Sequence, residues 1–104
     1  MRYRVTIRPE AEEDLATIYD VIAEKNPAAA MRFFDGIRDL SMSLDHFPRR
    51  GKPRDDVAAG VRTLVYRKRA TIAYRILGDT VEVARVFYAG RDYEAILRRQ
   101  GTSE

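Results

Sequence analysis

Cysteine is absent from the 104-residue chain, which excludes disulfides and thiolate metal sites and suits a reducing compartment. No stretch approaches the length that spans a bilayer, and the opening MRYRVTIRPE has no apolar h-region. The expectation is a cytoplasmic protein that does not contact a membrane. Catalytic signatures are missing too: there is no GxGxxG, P-loop, HExxH or GxSxG. The single histidine, His46, fits the end of a helix better than a base or a ligand, and Ser41 and Ser43 have no histidine partner near in sequence. Neither a metal nor a cofactor is expected.

What is present describes one soluble globular domain spanning 1–104, with 45% apolar and 34% charged residues. The net charge of +3 is unevenly spread. Between Arg8 and Glu24 the acids Glu10, Glu12, Glu13, Asp14, Asp20 and Glu24 face Arg8 alone. Between Arg49 and Arg75 nine bases face only Asp55 and Asp56. Such a region suits phosphates or an acidic protein partner, although an ordinary solvated loop and hairpin has the same composition.

The stretch from Gly60 to Tyr93 organises the rest. Val61 to Tyr66, Thr71 to Leu77 and Val81 to Tyr88 read as three successive strands, rich in β-branched and aromatic residues. In the second, Ile72, Tyr74 and Ile76 alternate with Thr71, Ala73 and Arg75. Gly78-Asp79 is a two-residue hairpin signal, since glycine takes the positive φ of a primed turn. Before this meander, Arg2 to Ile7 alternates as a half-buried strand. Pro9 and the acids after it open a helix that carries Ala11, Leu15, Ile18, Tyr19 and Ile22 at spacings of three and four, so one stripe faces a core. Lys25-Asn26-Pro27 breaks it, with Asn26 capping and Pro27 opening a second helix that carries Ala30, Phe33, Phe34, Ile37, Leu40 and Leu44. Residues 46–60 read as a loop, and residues 91–100 as a helical turn.

The order β-α-α-β-β-β predicts an α+β fold: a helical hairpin covers one face of a small, mostly antiparallel sheet, followed by a short C-terminal helical turn. Too little chain remains to cover the other face, which is expected to stay open for a partner. The helix-one carboxylates read as a helix-start device. Tyr66 interleaved with Arg67, Lys68 and Arg69 at a hairpin tip suits nucleic-acid contact, or a plain polar turn.

Four segments in order carry a resemblance: PEAEEDLATIYDVIAEKNPAAAMRFF, FPRRGKPR, GVRTLVYRKRATIAYRI and GDTVEVARVFYAGRD. The chain resembles the RelE/ParE superfamily of type II toxin–antitoxin toxins, also called plasmid-stabilisation proteins, over residues 3 to about 97. The middle and last segments look more like the ParE branch. RelE-like toxins are messenger RNA endonucleases acting on the ribosome, and their active face needs cations around the phosphate and groups that move protons. In an ungapped register through Tyr74, their basic pair falls on Arg62 and Leu64. Their next arginine falls on Thr71, the post-strand arginine on Arg91 and the tail tyrosine on Leu97. Only Arg62 and Arg91 survive, with Tyr88 or Tyr93 as substitutes from a shifted register, so messenger RNA cleavage on the ribosome is the alternative reading.

The ParE likeness implies a binder, not an enzyme. It implies inhibition of DNA gyrase, for which the basic hairpin residues Arg67, Lys68 and Arg69, with Arg91 after the last strand, are the expected contacts. It also implies a toxin–antitoxin hetero-oligomer with a ParD-like antitoxin whose carboxyl-terminal segment folds onto the helical hairpin. Tyr19, Met31 and Phe34 are the expected anchors, as hairpin residues not used internally. A non-toxic binding module is a further alternative.

Overall fold

The computed structural model describes residues 2–88. Strand β1 (Arg4–Ile7) is followed by helices α1 (Pro9–Ala23) and α2 (Pro27–Met42). Two 3-10 turns, Ser43–Asp45 and Pro48–Arg50, lead to the two-residue strand β2 (Lys52–Pro53). Strands β3 (Val61–Tyr66), β4 (Ala70–Leu77) and β5 (Thr80–Tyr88) complete the sheet. Its order is β1-β5-β4-β3-β2, with β1 parallel to β5 and every other pair antiparallel. This is the expected α+β arrangement with one strand more. The additional β2 is only Lys-Pro, too short for any alternation to reveal.

Both helices form where the sequence places them. Pro9 and Pro27 occupy the first turns, where a missing N–H costs nothing, and Asn26 Oδ1 accepts from the Ala29 N–H at 3.0 Å. Ala11, Leu15 and Ile18 from α1 meet Phe33 and Ile37 from α2 over Ile72, Tyr74, Val81, Val83 and Val86 of the sheet. Ile37, Leu44, Ile72 and Val81 are fully buried. Each contributes roughly 1.5–3 kcal/mol by leaving water. Phe33 lies edge-on between Tyr66 and Tyr88, at centroid distances of 5.6 and 5.7 Å.

The face away from the helices is not left open along its length. Residues 54–60 fold back so that Val57 and Ala58 pack with Val61, Ala73 and Phe87 as a second, smaller core. The expectation failed because the run DDVAAG reads as a polar loop, while Val57 and Ala58 within it supply a lid. The predicted helical turn at 91–100 lies outside the described residues.

One irregularity shapes the sheet. Ala73 pairs with Arg85 but Tyr74 pairs with Val83, which leaves Ala84 as a β-bulge. Past the bulge, Val86 joins the same core as Val83 although it lies an odd number of positions, three, further along the strand. The bulge also coincides with the end of β1, where Ile7 pairs with Val83 and the Arg8 N–H donates to the Val83 carbonyl at 2.9 Å. Asp14 of α1 takes over the edge from there. Its carboxylate accepts from the Val86 N–H at 2.9 Å and from Arg85 Nε and Nη2 at 2.7 and 2.9 Å.

Candidate functional site

Cations stand out in two places among the described residues. The first is the β3–β4 turn. Arg67 and Lys68 both have positive φ, 50° and 58°, and the Arg69 N–H donates to the Tyr66 carbonyl at 2.8 Å. Two successive positive φ values are the type I′ pattern, which matches sheet twist and ordinarily recruits Asn-Gly. Arginine and lysine occupy it at a steric cost of about 1 kcal/mol or more each. Arg67, Lys68 and Arg69 are all exposed, and the Arg67 guanidinium lies 5.5 Å from the Tyr66 ring centre.

The second place is the segment between α2 and β2. Arg62 and Tyr74 face each other across β3 and β4, and both reach under this segment. Tyr74 is completely buried; its hydroxyl donates to the Pro48 carbonyl at 2.6 Å and accepts from the Gly51 N–H at 2.9 Å. Arg62 Nη1 donates to the carbonyls of Arg49 and Gly51, both at 2.9 Å. Burial is the largest influence on the Tyr74 phenol and pushes its pKa up, against the Gly51 N–H and the charge of Arg62, which pull it down. A Cβ on Gly51 would lie 2.3 Å from the Tyr74 hydroxyl, so the close approach requires glycine here.

Of the residues singled out for RNA cleavage, Arg62 and Tyr88 lie among those described. They do not converge. Arg62 sits opposite Tyr74, and Tyr88 opposite Ala70 on the same strand, roughly 13 Å along β4 at strand rise. Arg62 spends donors on the loop backbone, and Tyr88 packs edge-on against Phe33. Leu64 lies half-buried against the main core. Arg91 and Tyr93 lie outside the described residues.

Of the expected antitoxin anchors, Met31 is exposed at 51%. Tyr19 and Phe34 are half-buried and pack edge-to-face at 6.4 Å, with Phe34 also against the main core. The premise that all three are unused internally therefore holds for Met31 alone. An apolar hollow of about 270 Å³ lies between α1 and the end of β5, with Ile18, Val21, Val86 and Phe87 in its walls. His46 is exposed and its Nδ1 contacts Asp45 at 2.8 Å; hydrogen bonding from His46, then from Arg2, holds the Asp45 carboxyl below the usual range. Among the described residues no group of acids and histidines could hold a metal ion, and no helix is long and apolar enough to cross a membrane.

Sequence reasoning missed two participants. Asp14 looked like one helix-start acid among four, and its partner Arg85 is too distant in the chain for any local pattern to pair them. Tyr74 read as a core aromatic, which it is, but its hydroxyl also positions the loop. The signal available was a buried tyrosine, whose O–H must find partners.

The described residues thus form an α+β domain, a helical hairpin on a five-stranded sheet with cations at a turn and a loop. The chain belongs to the ParE toxin family of type II toxin–antitoxin systems (parDE), whose model it matches over residues 5–93. It is a type II toxin. It is similar to a solved structure of the chromosomal ParDE toxin–antitoxin system from P. aeruginosa, with 24% identity and a TM-score of 0.72, covering 84% of this chain and 96% of that one. It is also similar to the RelBE2 toxin–antitoxin complex from Mycobacterium tuberculosis, with 26% identity and a TM-score of 0.59, covering 85% of this chain and 99% of that one. No curated protein matches the chain.

Proposed function

We propose that this toxin acts in the cytoplasm by binding and not by catalysis, with DNA gyrase as its target and a ParD-like antitoxin as its neutralising partner in a toxin–antitoxin hetero-oligomer. The observation that carries the reading is the β3–β4 turn. Arg67 and Lys68 occupy positive-φ positions that Asn-Gly would fill with less strain, and such strain at an exposed cationic tip supports a contact role. Charge at a projecting turn suits an acidic protein surface or the DNA that it holds, and steers the encounter. Membership of the ParE family adds the analogy to gyrase, and the antitoxin follows from the same membership. Exposed Val21 and Met31 on the helices offer it apolar contacts.

RNA cleavage is disfavoured by the engagement of Arg62 with backbone carbonyls and of Tyr88 with Phe33. Purified chain added to gyrase is expected to block supercoiling and trap cleaved DNA, while translating ribosomes keep their transcripts intact. Severed transcripts with unaffected gyrase would reverse the assignment. Joint Arg67→Glu and Arg69→Glu substitution should lower toxicity in cells while the antitoxin complex still forms; undiminished growth arrest refutes the role of the turn.

A further inference from the structure

Three non-glycine residues among those described have positive φ, and the third is Phe47, at 52°. It is also 83% exposed, the most exposed large hydrophobic of the described chain. A bulky side chain in left-handed backbone is strained, and an aromatic ring in water contributes nothing to the fold. Yet the segment that follows it is held firmly. The four hydrogen bonds from Tyr74 and Arg62 seize Pro48, Arg49 and Gly51 from beneath, so Phe47 stands on a rigid base.

Around the ring lies an open hollow of about 550 Å³ lined by Tyr3, His46, Phe47, Pro48, Arg49 and Arg50. No acid lines it. The Arg50 guanidinium is anchored on the Ser43 hydroxyl, and Arg49 is exposed with its guanidinium unpartnered among the described residues. Nearby Asp45 is already paired with Arg2.

We propose that this knuckle is a contact site for single-stranded nucleic acid, in which an unpaired base stacks on Phe47 while Arg49 and Arg50 meet the flanking phosphates. A flat exposed ring beside fixed cations is the combination that single strands use, since every base has a π-face and every linkage a charge. An acidic peptide would engage the arginines and leave Phe47 in water. A duplex would first have to unstack. The site requires neither gyrase nor an antitoxin, so it stands or falls apart from the target proposed above.

The test uses the full chain and a fluorescein-labelled twelve-residue oligothymidylate, followed by anisotropy at several salt concentrations. Phe47→Leu is expected to weaken binding about tenfold with an unchanged melting temperature, because the residue lies in water. Arg49→Ala should weaken it and reduce the salt slope by about 0.7. The chain contains no tryptophan, so Phe47→Trp introduces a single indole. Its emission should be quenched as the oligonucleotide binds. Equal affinity of Phe47→Leu and the unaltered chain would overturn the proposal, as would an unquenched indole. Equal binding of a blunt duplex of the same length would also overturn it. So would equally tight, Phe47-dependent binding of an oligoglutamate peptide, which would assign the knuckle to an acidic protein instead.

Discussion

Tyr74 illustrates how one side chain can serve packing and positioning together. Its ring fills the main core, while its hydroxyl satisfies a carbonyl and an N–H that the loop would otherwise bury unpaired. Tyr74→Phe keeps the ring and orphans both groups, so a loss of roughly 1–3 kcal/mol is expected in urea unfolding. The pH dependence follows from the raised phenol: stability is complete below about 10, the ordinary tyrosine value, and falls as pH climbs towards the folded-state value. The Phe variant should lack this share of the alkaline decline. Gly51→Ala attacks the same contact from the other side and should cost about 1–3 kcal/mol, because the buried hydroxyl has no free space to retreat into. Asp14 is the other residue on which much depends. Both side chains of the Asp14–Arg85 pair are 16% exposed, and the carboxylate also caps the sheet edge. Asp14→Ala should therefore destabilise by roughly 2–3 kcal/mol, somewhat less than for a fully buried pair. A melting temperature unchanged by that substitution would show the pair to be ornamental.

At the scale of elements, the β3–β4 turn sets stability against binding. Replacing Arg67-Lys68 by Asn-Gly should raise stability by about 1 kcal/mol, since both positions then accept positive φ, while toxicity in cells falls. A variant both more stable and fully toxic would show that the cations at the tip are dispensable. Elements were also what the sequence disclosed most readily. The spacing of Ala11, Leu15 and Ile18, and of Ala30, Phe33 and Ile37, announced two helices, and Gly78-Asp79 announced the last hairpin, where Gly78 has φ 62°. Strand alternation puts Arg62 beside Leu64 and Tyr66 on one face of β3. It was silent on where the Arg62 donors end, because carbonyls of a loop carry no sequence signature. The bulge at Ala84, the strain at Phe47 and the pairing of Asp14 with Arg85 were hidden for the same reason: each depends on distant parts of the chain meeting.

Across the whole molecule, charge is divided between an acid-rich α1 and the basic loop and turn of the second half. Binding that relies on the latter should weaken as salt rises from 50 to 200 mM, whereas folding stability, resting on the apolar core, should move little. Measuring both over one salt series checks the division. The sheet topology has a consequence of another kind. Arg4 through Ile7 find their strand partners in Thr80 through Val83, so β1 must wait for β5 to leave the ribosome before it can pair. Until then the sheet lacks its parallel edge, so a chain stalled before β5 emerges is expected to be more open to protease than the released one.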